Sequence, residues 1–134
     1  MKRYFCTLFD KNYLIKGLTM IRSLTENCEN FTIFVLCLDD KTIEILEKIN
    51  FEQIKCVKLG EVESDELKFA KKNRSKAEYC WTLASSFTWH VIQTTQEIDL
   101  ITYLDADIFF YSEVEPIFKE IGNSSIAIIE HRFS

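Results

Sequence analysis

The run at residues 31–38, Phe-Thr-Ile-Phe-Val-Leu-Cys-Leu, constrains the fold more than any other part of the chain. It carries no charge and no polar–apolar alternation, so as a strand it must be covered on both faces. Such a strand belongs inside a sheet with helices above and below it. Apolar runs at residues 4–9, 54–59 and 100–104 supply its sheet neighbours. The segments between them supply the helices. Leu14, Leu18, Ile21, Leu24 and Cys28 recur at helical spacing, which predicts an amphipathic helix over residues 13–28. Asp39 or Asp40 can cap a second helix striped by Ile43, Leu46 and Ile49. Residues 61–72 are polar and weakly periodic and read as mixed loop and helix. A long helix is expected from residue 77 to about residue 95, with Tyr79, Leu83, Phe87 and Val91 on one face. A short helix follows at residues 114–121, with Pro116 tolerable near its first turn. Residues 125–129 read as a fifth strand.

Alternating strands and helices imply a three-layer α/β domain with a mostly parallel central sheet and right-handed crossovers. Ligands of such sheets bind at the carboxyl ends of the strands. Two acidic clusters fall there, Asp10 after the first strand and Asp105 with Asp107 after the fourth. No repeat, linker or boundary divides residues 1–134, which read as a single domain. Residues 130–134 hold no domain-closing element, so the chain is expected to stop inside a larger fold.

Charge narrows the function. The formal net charge is -5, whereas domains that grip nucleic acid carry a basic excess or a basic stripe. The best basic run, Lys71-Lys72-Asn73-Arg74 with Lys76, is short and follows acidic residues between 61 and 66. No nucleic-acid partner is expected. Cys6, Cys28, Cys37, Cys56 and Cys80 show no CxxC pair and no regular spacing, so neither a disulfide framework nor a zinc site is read. They read as reduced core residues in a cytoplasmic protein. The apolar run after Met1-Lys2-Arg3 is broken by Asp10, too early for a signal peptide. No run approaches the roughly twenty apolar residues of a transmembrane segment, so a soluble chain is expected.

Asp105 and Asp107 flank a small residue directly after the strand at 100–104. A divalent ion that bridges two phosphates wants hard oxygen ligands, and two carboxylates one residue apart can both reach it. Ala106 between them leaves room for a ligand. The ion would place positive charge where a leaving diphosphate develops negative charge. A bare Asp-x-Asp is also an ordinary solvated turn. Its position late in a βα pattern, with Asp10 after the first strand, favours the binding role.

Tyr103-Leu104-Asp105-Ala106-Asp107-Ile108 resembles the DxD signature of GT-A-fold glycosyltransferases, and is most similar to that of glycosyltransferase family 8. Residues 5–13, ending Asp10-Lys11-Asn12-Tyr13, resemble that family's first strand and its D-x-N-Y turn. The stretch Ala77-Glu78-Tyr79-Cys80-Trp81-Thr82-Leu83 and the end Ile129-Glu130-His131-Arg132-Phe133 look like a bacterial subgroup. The resemblance covers the whole chain. It implies a Rossmann-like GT-A nucleotide-diphospho-sugar transferase fold and binding of a UDP-sugar with Mn²⁺ or Mg²⁺. It also implies sugar transfer, with retention, to a glycan, lipid or protein acceptor. By the same resemblance Asp10 and Asn12 meet the uracil edge, and Tyr13 stacks on the base. Asp105 meets the metal and the sugar or ribose, and Asp107 is a direct metal ligand. A carboxylate suits the uracil N3 donor. Residues 10–12 also make a good turn and helix start, and Tyr13 a good packing residue.

The chain departs from the family in places. Members often carry Arg in a Tyr-x-Arg-Leu motif on the long helix; the nearest stretch here, residues 79–83, has none. Arg74 and Lys76 are the candidates to serve the diphosphate instead, against the plainer reading of a solvated charge run. The subgroup's Pro after Thr82 is absent. The family's third metal ligand, usually His, and its acceptor site lie further along. His131 comes too early to match that ligand, and His90 reads as a mid-helix packed or surface residue. Residues 1–134 alone are therefore expected to bind donor and turn it over poorly. Two alternatives compete. A haloacid-dehalogenase-like phosphatase uses the same strand-end DxD with Mg²⁺ and an Asp nucleophile, but it wants Thr or Val where Phe109 stands. A non-catalytic nucleotide-sugar-binding fragment is the other. A receiver-like domain built on Asp39-Asp40 fails, because the third strand ends Lys58-Leu59-Gly60 with no acceptor Asp.

Overall fold

The computed structural model describes residues 1–129. In chain order its elements are β1 (Arg3–Phe9), α1 (Leu14–Asn27), β2 (Phe31–Cys37), α2 (Asp40–Ile49), β3 (Ile54–Lys58), α3 (Leu59–Val62), α4 (Asp65–Lys72), α5 (Lys76–Thr94), β4 (Ile101–Tyr103) and α6 (Glu115–Ile121). The strands form one sheet in the order β3-β2-β1-β4, every pairing parallel. The uncharged run at 31–38 thus becomes a central strand, as its composition requires.

Side chains alternate across the sheet and build two cores. Phe5 and Phe9 of β1 with Ile33, Val35 and Cys37 of β2 face Met20, Ile21 and Leu24 of α1 and Ile43 and Leu46 of α2. On the opposite face, Cys6, Leu8 and Leu36 meet Leu67 of α4 and the α5 stripe Tyr79, Leu83, Phe87 and Val91. The result is the three-layer α/β architecture expected from the alternation. Burying each such large apolar side chain contributes about 1.5–3 kcal/mol.

Local signals set the ends. Asp39, not Asp40, caps α2: its carboxylate accepts the Thr42 N–H at 2.8 Å. Asn50 ends that helix in the left-handed region, at φ 48. Ser75 and Glu78 form a reciprocal capping box at the start of α5. The expected mixed stretch at 61–72 resolves into two short helices, α3 and α4. Its periodicity is weak because Leu67 alone is buried there, with Val62 packing against the core only in part.

The fifth strand is a correction. Residues 125–129 are not a strand, and Ile126, Ile128 and Ile129 are exposed. A strand exists through a hydrogen-bonded neighbour, and among the described residues this segment has none. The subgroup-like end at residues 130–133, including His131, lies outside the described residues. All five cysteines are free, with Cys6, Cys28 and Cys37 buried. No helix among the described residues is long and apolar enough to cross a membrane.

The winding locates the site. The chain steps outward from β1 through β2 to β3 with α1 and α2 on one face. It then returns along the other face through α5 to place β4 on the far side of β1. The direction of winding therefore reverses between β1 and β4. Open α/β sheets bind ligands at that reversal, outside the carboxyl ends of the strands.

Candidate functional site

β1 stops at Phe9, and Asp10 turns the chain into α1. Asp10 Oδ1 accepts the backbone N–H groups of Asn12 at 2.9 Å and Tyr13 at 3.3 Å, an Asx turn that fixes the carboxylate plane. The Asn12 side-chain amide lies 3.4 Å from Asp10 Oδ2. Tyr13 sits at the N-cap of α1 with its ring 47% exposed and the Lys16 ammonium over it. The three residues expected to meet the base are thus brought together in one turn at the strand's carboxyl end.

Lys76, the first residue of α5, donates to Asp10 Oδ2 at 2.6 Å. The Asp10 side chain is only 12% exposed, whereas Lys76 is 74% exposed. Burial is the largest influence on the Asp10 carboxyl and acts to raise its pKa. Hydrogen bonds from Lys76, Asn12 and Tyr13 outweigh it and leave the group below its ordinary value. Lys76 is correspondingly raised, chiefly by its hydrogen bond to Asp10. Asp39, at the end of β2, reaches across to accept the Lys11 N–H at 2.8 Å. The same carboxylate that caps α2 therefore also pins the β1–α1 turn.

β4 lies beside β1 with Cys6 paired to Tyr103, and the Leu104 N–H continues the ladder to the Cys6 carbonyl at 2.9 Å. Asp105, Ala106 and Asp107 follow at once, so the DxD lies at the same end of the sheet as Asp10. Leu104 and Ala106 are buried with Val114 in the α1-side core, while Asp105 and Asp107 are exposed. Ala106 is thus small because it packs into that core, which corrects the expectation that it leaves room for a ligand. The Tyr103 hydroxyl is held protonated well above its ordinary range, first by burial and then by the charges of Asp105 and others, including Asp107.

Among the described residues, no three His, Cys, Asp or Glu side chains converge as a cation cage. Neither Asp105 nor Asp107 has a side-chain hydrogen bond or ion pair to a described residue. Two free carboxylates fit a cation shared with a ligand. Mg²⁺ is commonly held in that way, by one or two carboxylates plus substrate phosphates and water. They do not fit a self-contained protein site.

The two cations proposed for the diphosphate part company. Arg74 donates to Thr82 Oγ1 and, with Trp89 and His90, lines a groove of about 530 Å³ between α4 and α5. Lys76 reaches Asp10. Neither pairs with Asp105 or Asp107. Sequence reasoning missed the Lys76–Asp10 bond and the second role of Asp39. The only signal for the latter was its capping position.

Comparison with known proteins adds the last observation. The family model described as glycosyl transferase family 8 matches residues 5–133. Two Bacillus subtilis (strain 168) proteins are similar. The uncharacterized protein YfnD is 37% identical over 131 residues, which is 98% of this chain and 42% of YfnD. The uncharacterized protein YfnF is 31% identical over 128 residues, 96% of this chain and 42% of YfnF. The chain therefore spans less than half the length of either relative.

Proposed function

The chain belongs to glycosyl transferase family 8, and from that premise we propose that it is the donor-binding part of a UDP-sugar-dependent glycosyltransferase. Membership sets aside the haloacid-dehalogenase reading of the DxD. The observation that carries the proposal is the register Cys6↔Tyr103. It sets the Asp10 turn and the DxD side by side at the reversal of strand order, where a nucleotide diphosphate has a base end and a charged end to satisfy. Asp10 takes the uracil N3–H, Asn12 supports that edge and Tyr13 covers the base. Asp105 and Asp107 hold Mn²⁺ or Mg²⁺, with Asp105 also toward the ribose or sugar. The bound ion supplies positive charge against the leaving diphosphate. The transfer we assign to the family pattern retains anomeric configuration, to a glycan, lipid or protein acceptor. The free thiols support a cytoplasmic setting.

Titration calorimetry with UDP and GDP, each with Mn²⁺, tests this. UDP should bind more tightly. Asp10→Ala should weaken it by about tenfold or more, because the base donor would be left unpaired at roughly 1–3 kcal/mol. Asp107→Asn should remove the metal-dependent part of the affinity. Equal affinity for UDP and GDP removes the claim of base recognition, and binding indifferent to Mn²⁺ and to Asp107→Asn removes the metal claim.

A further inference from the structure

Asp10 Oδ1 is taken by two backbone N–H groups, which leaves Oδ2 as the atom available to a ligand. That atom already holds the Lys76 ammonium at 2.6 Å and meets the Asn12 side-chain amide at a longer 3.4 Å, a contact that a base edge could displace. We propose that Lys76 and Asp10 act together as a base-reading pair, and that Lys76 makes the site prefer uracil over cytosine. The proposal rests on the reading of Asp10 as the base-side residue and deepens it.

The argument is one of donors and acceptors. A carboxylate oxygen has room for a further hydrogen bond, and an ammonium has three donors. Lys76 spends one on Asp10 and its side chain is 74% exposed, so donors remain for a ligand. The pair therefore presents an acceptor beside a donor. Uracil presents the complement, the N3–H donor flanked by carbonyl acceptors. With Lys76 toward C4, cytosine presents an acceptor at N3 and an amino donor beside it, so acceptor meets acceptor and donor meets donor; its O2 side alone is unchanged from uracil. Sites built to pair a specific polar edge reject the mismatched one strongly, because buried groups are left unpaired.

The surroundings hold both halves in place. The Asx turn fixes Asp10. The Ser75–Glu78 capping box and the buried Tyr79 and Leu83 fix the start of α5. The exposed Lys76 side chain can adjust to a base lying on Tyr13.

The test is calorimetry with UDP, CDP and inorganic pyrophosphate, each with Mn²⁺, on the wild type, Lys76→Met, Lys76→Arg and Asp10→Ala. Circular dichroism and melting curves check that each variant folds. The wild type should prefer UDP to CDP. Lys76→Met should cut that preference by about tenfold with pyrophosphate unchanged, and Lys76→Arg should restore most of it. An intact UDP-to-CDP ratio in Lys76→Met overturns the proposal. Equal weakening of UDP, CDP and pyrophosphate also overturns it and assigns Lys76 to the diphosphate. The underlying reading fails separately, if Asp10→Ala leaves UDP affinity unchanged. No preference in the wild type overturns both.

Discussion

Adding one methyl group at Gly17 should destabilise the protein even though it improves the helix. Gly17 lies in α1, where Ala is favoured over Gly by up to about 1 kcal/mol. A Cβ at this position would lie 2.5, 2.7 and 2.8 Å from Cε1, Cδ1 and Cζ of Phe9. Unbonded carbons rest about 3.5–4.0 Å apart, so the methyl group lacks about 1 Å of space. Phe9 cannot swing away cheaply, because its ring is 2% exposed within the α1-side core. Overpacking of this kind costs about 1–3 kcal/mol. Contact with three ring carbons argues for the upper half of that range. After the helix gain, Gly17→Ala should lose about 1–2 kcal/mol, a fall in Tm of several degrees for a domain of this size. Gly60 provides the control. It lies in α3 with nothing within 4 Å of an added Cβ, so Gly60→Ala should be neutral or stabilising. Urea denaturation of both variants decides the sign. Gly17→Ala as stable as the wild type would falsify the close approach of α1 to β1. Adding Phe9→Leu should recover part of the loss, since it removes ring atoms from the clash.

Two smaller changes test other features of the fold. Thr7 is fully buried and its hydroxyl has no hydrogen-bond partner among the described residues, so Thr7→Val should raise stability by about 1 kcal/mol in thermal denaturation; a loss instead would reveal a partner for the hydroxyl. Asp39→Ala should cost about 1–2 kcal/mol near neutral pH, since it removes the α2 cap and the acceptor for Lys11. Burial is the largest influence on Asp39 and raises its pKa, but hydrogen bonds from Lys11 and Thr42 outweigh it and leave the group below its ordinary value. A carboxyl with a depressed folded pKa contributes stability above its unfolded pKa and loses it as pH falls through the folded value. The gap between wild type and Asp39→Ala should therefore close below about pH 4; a constant gap down to pH 2 would count against a charged cap.

Much of the fold was legible because it rests on patterns confined to single segments. The uncharged run at 31–38 announced a strand covered on both faces. The spacing of Tyr79, Leu83, Phe87 and Val91 announced the buried stripe of α5, and all four are buried. Residues 125–129 misled because an apolar run states an affinity for a sheet without naming a partner, and no described strand lies beside it. Ala106 misled in a different way. A small residue between two carboxylates suits a ligand by chemistry, yet here it is needed by the core. For the candidate site, Asp10, Asn12 and Tyr13 come together because they are neighbours in sequence. Asp105 and Asp107 reach the same end of the sheet because their strand pairs with β1. The bonds from Lys76 to Asp10 and from Lys11 to Asp39 were not legible. Each spans many residues and depends on how helices lie across the sheet, which no local spacing encodes.

The order β3-β2-β1-β4 explains why these long-range bonds gather where they do. β1 has β2 on one side and β4 on the other, so the turn after β1 is the one place that both flanks can reach. From the β2 side, Asp39 holds the turn through the Lys11 N–H. From the opposite layer, α5 must pass over the sheet to deliver β4, and its first residue lands on Asp10. The crossover that reverses the winding therefore also brings a cation to Asp10 and the DxD to the neighbouring strand end. A turn held from two sides loses little further freedom when a ligand settles on it, which favours binding by preorganisation. Asp105 and Asp107 have no such restraint from described side chains. They follow a three-residue strand and are anchored by Leu104 and Ala106 in the core beneath. The Asp10 end of the proposed site is thus set by the fold, while the DxD end is left open for the cation and diphosphate proposed above.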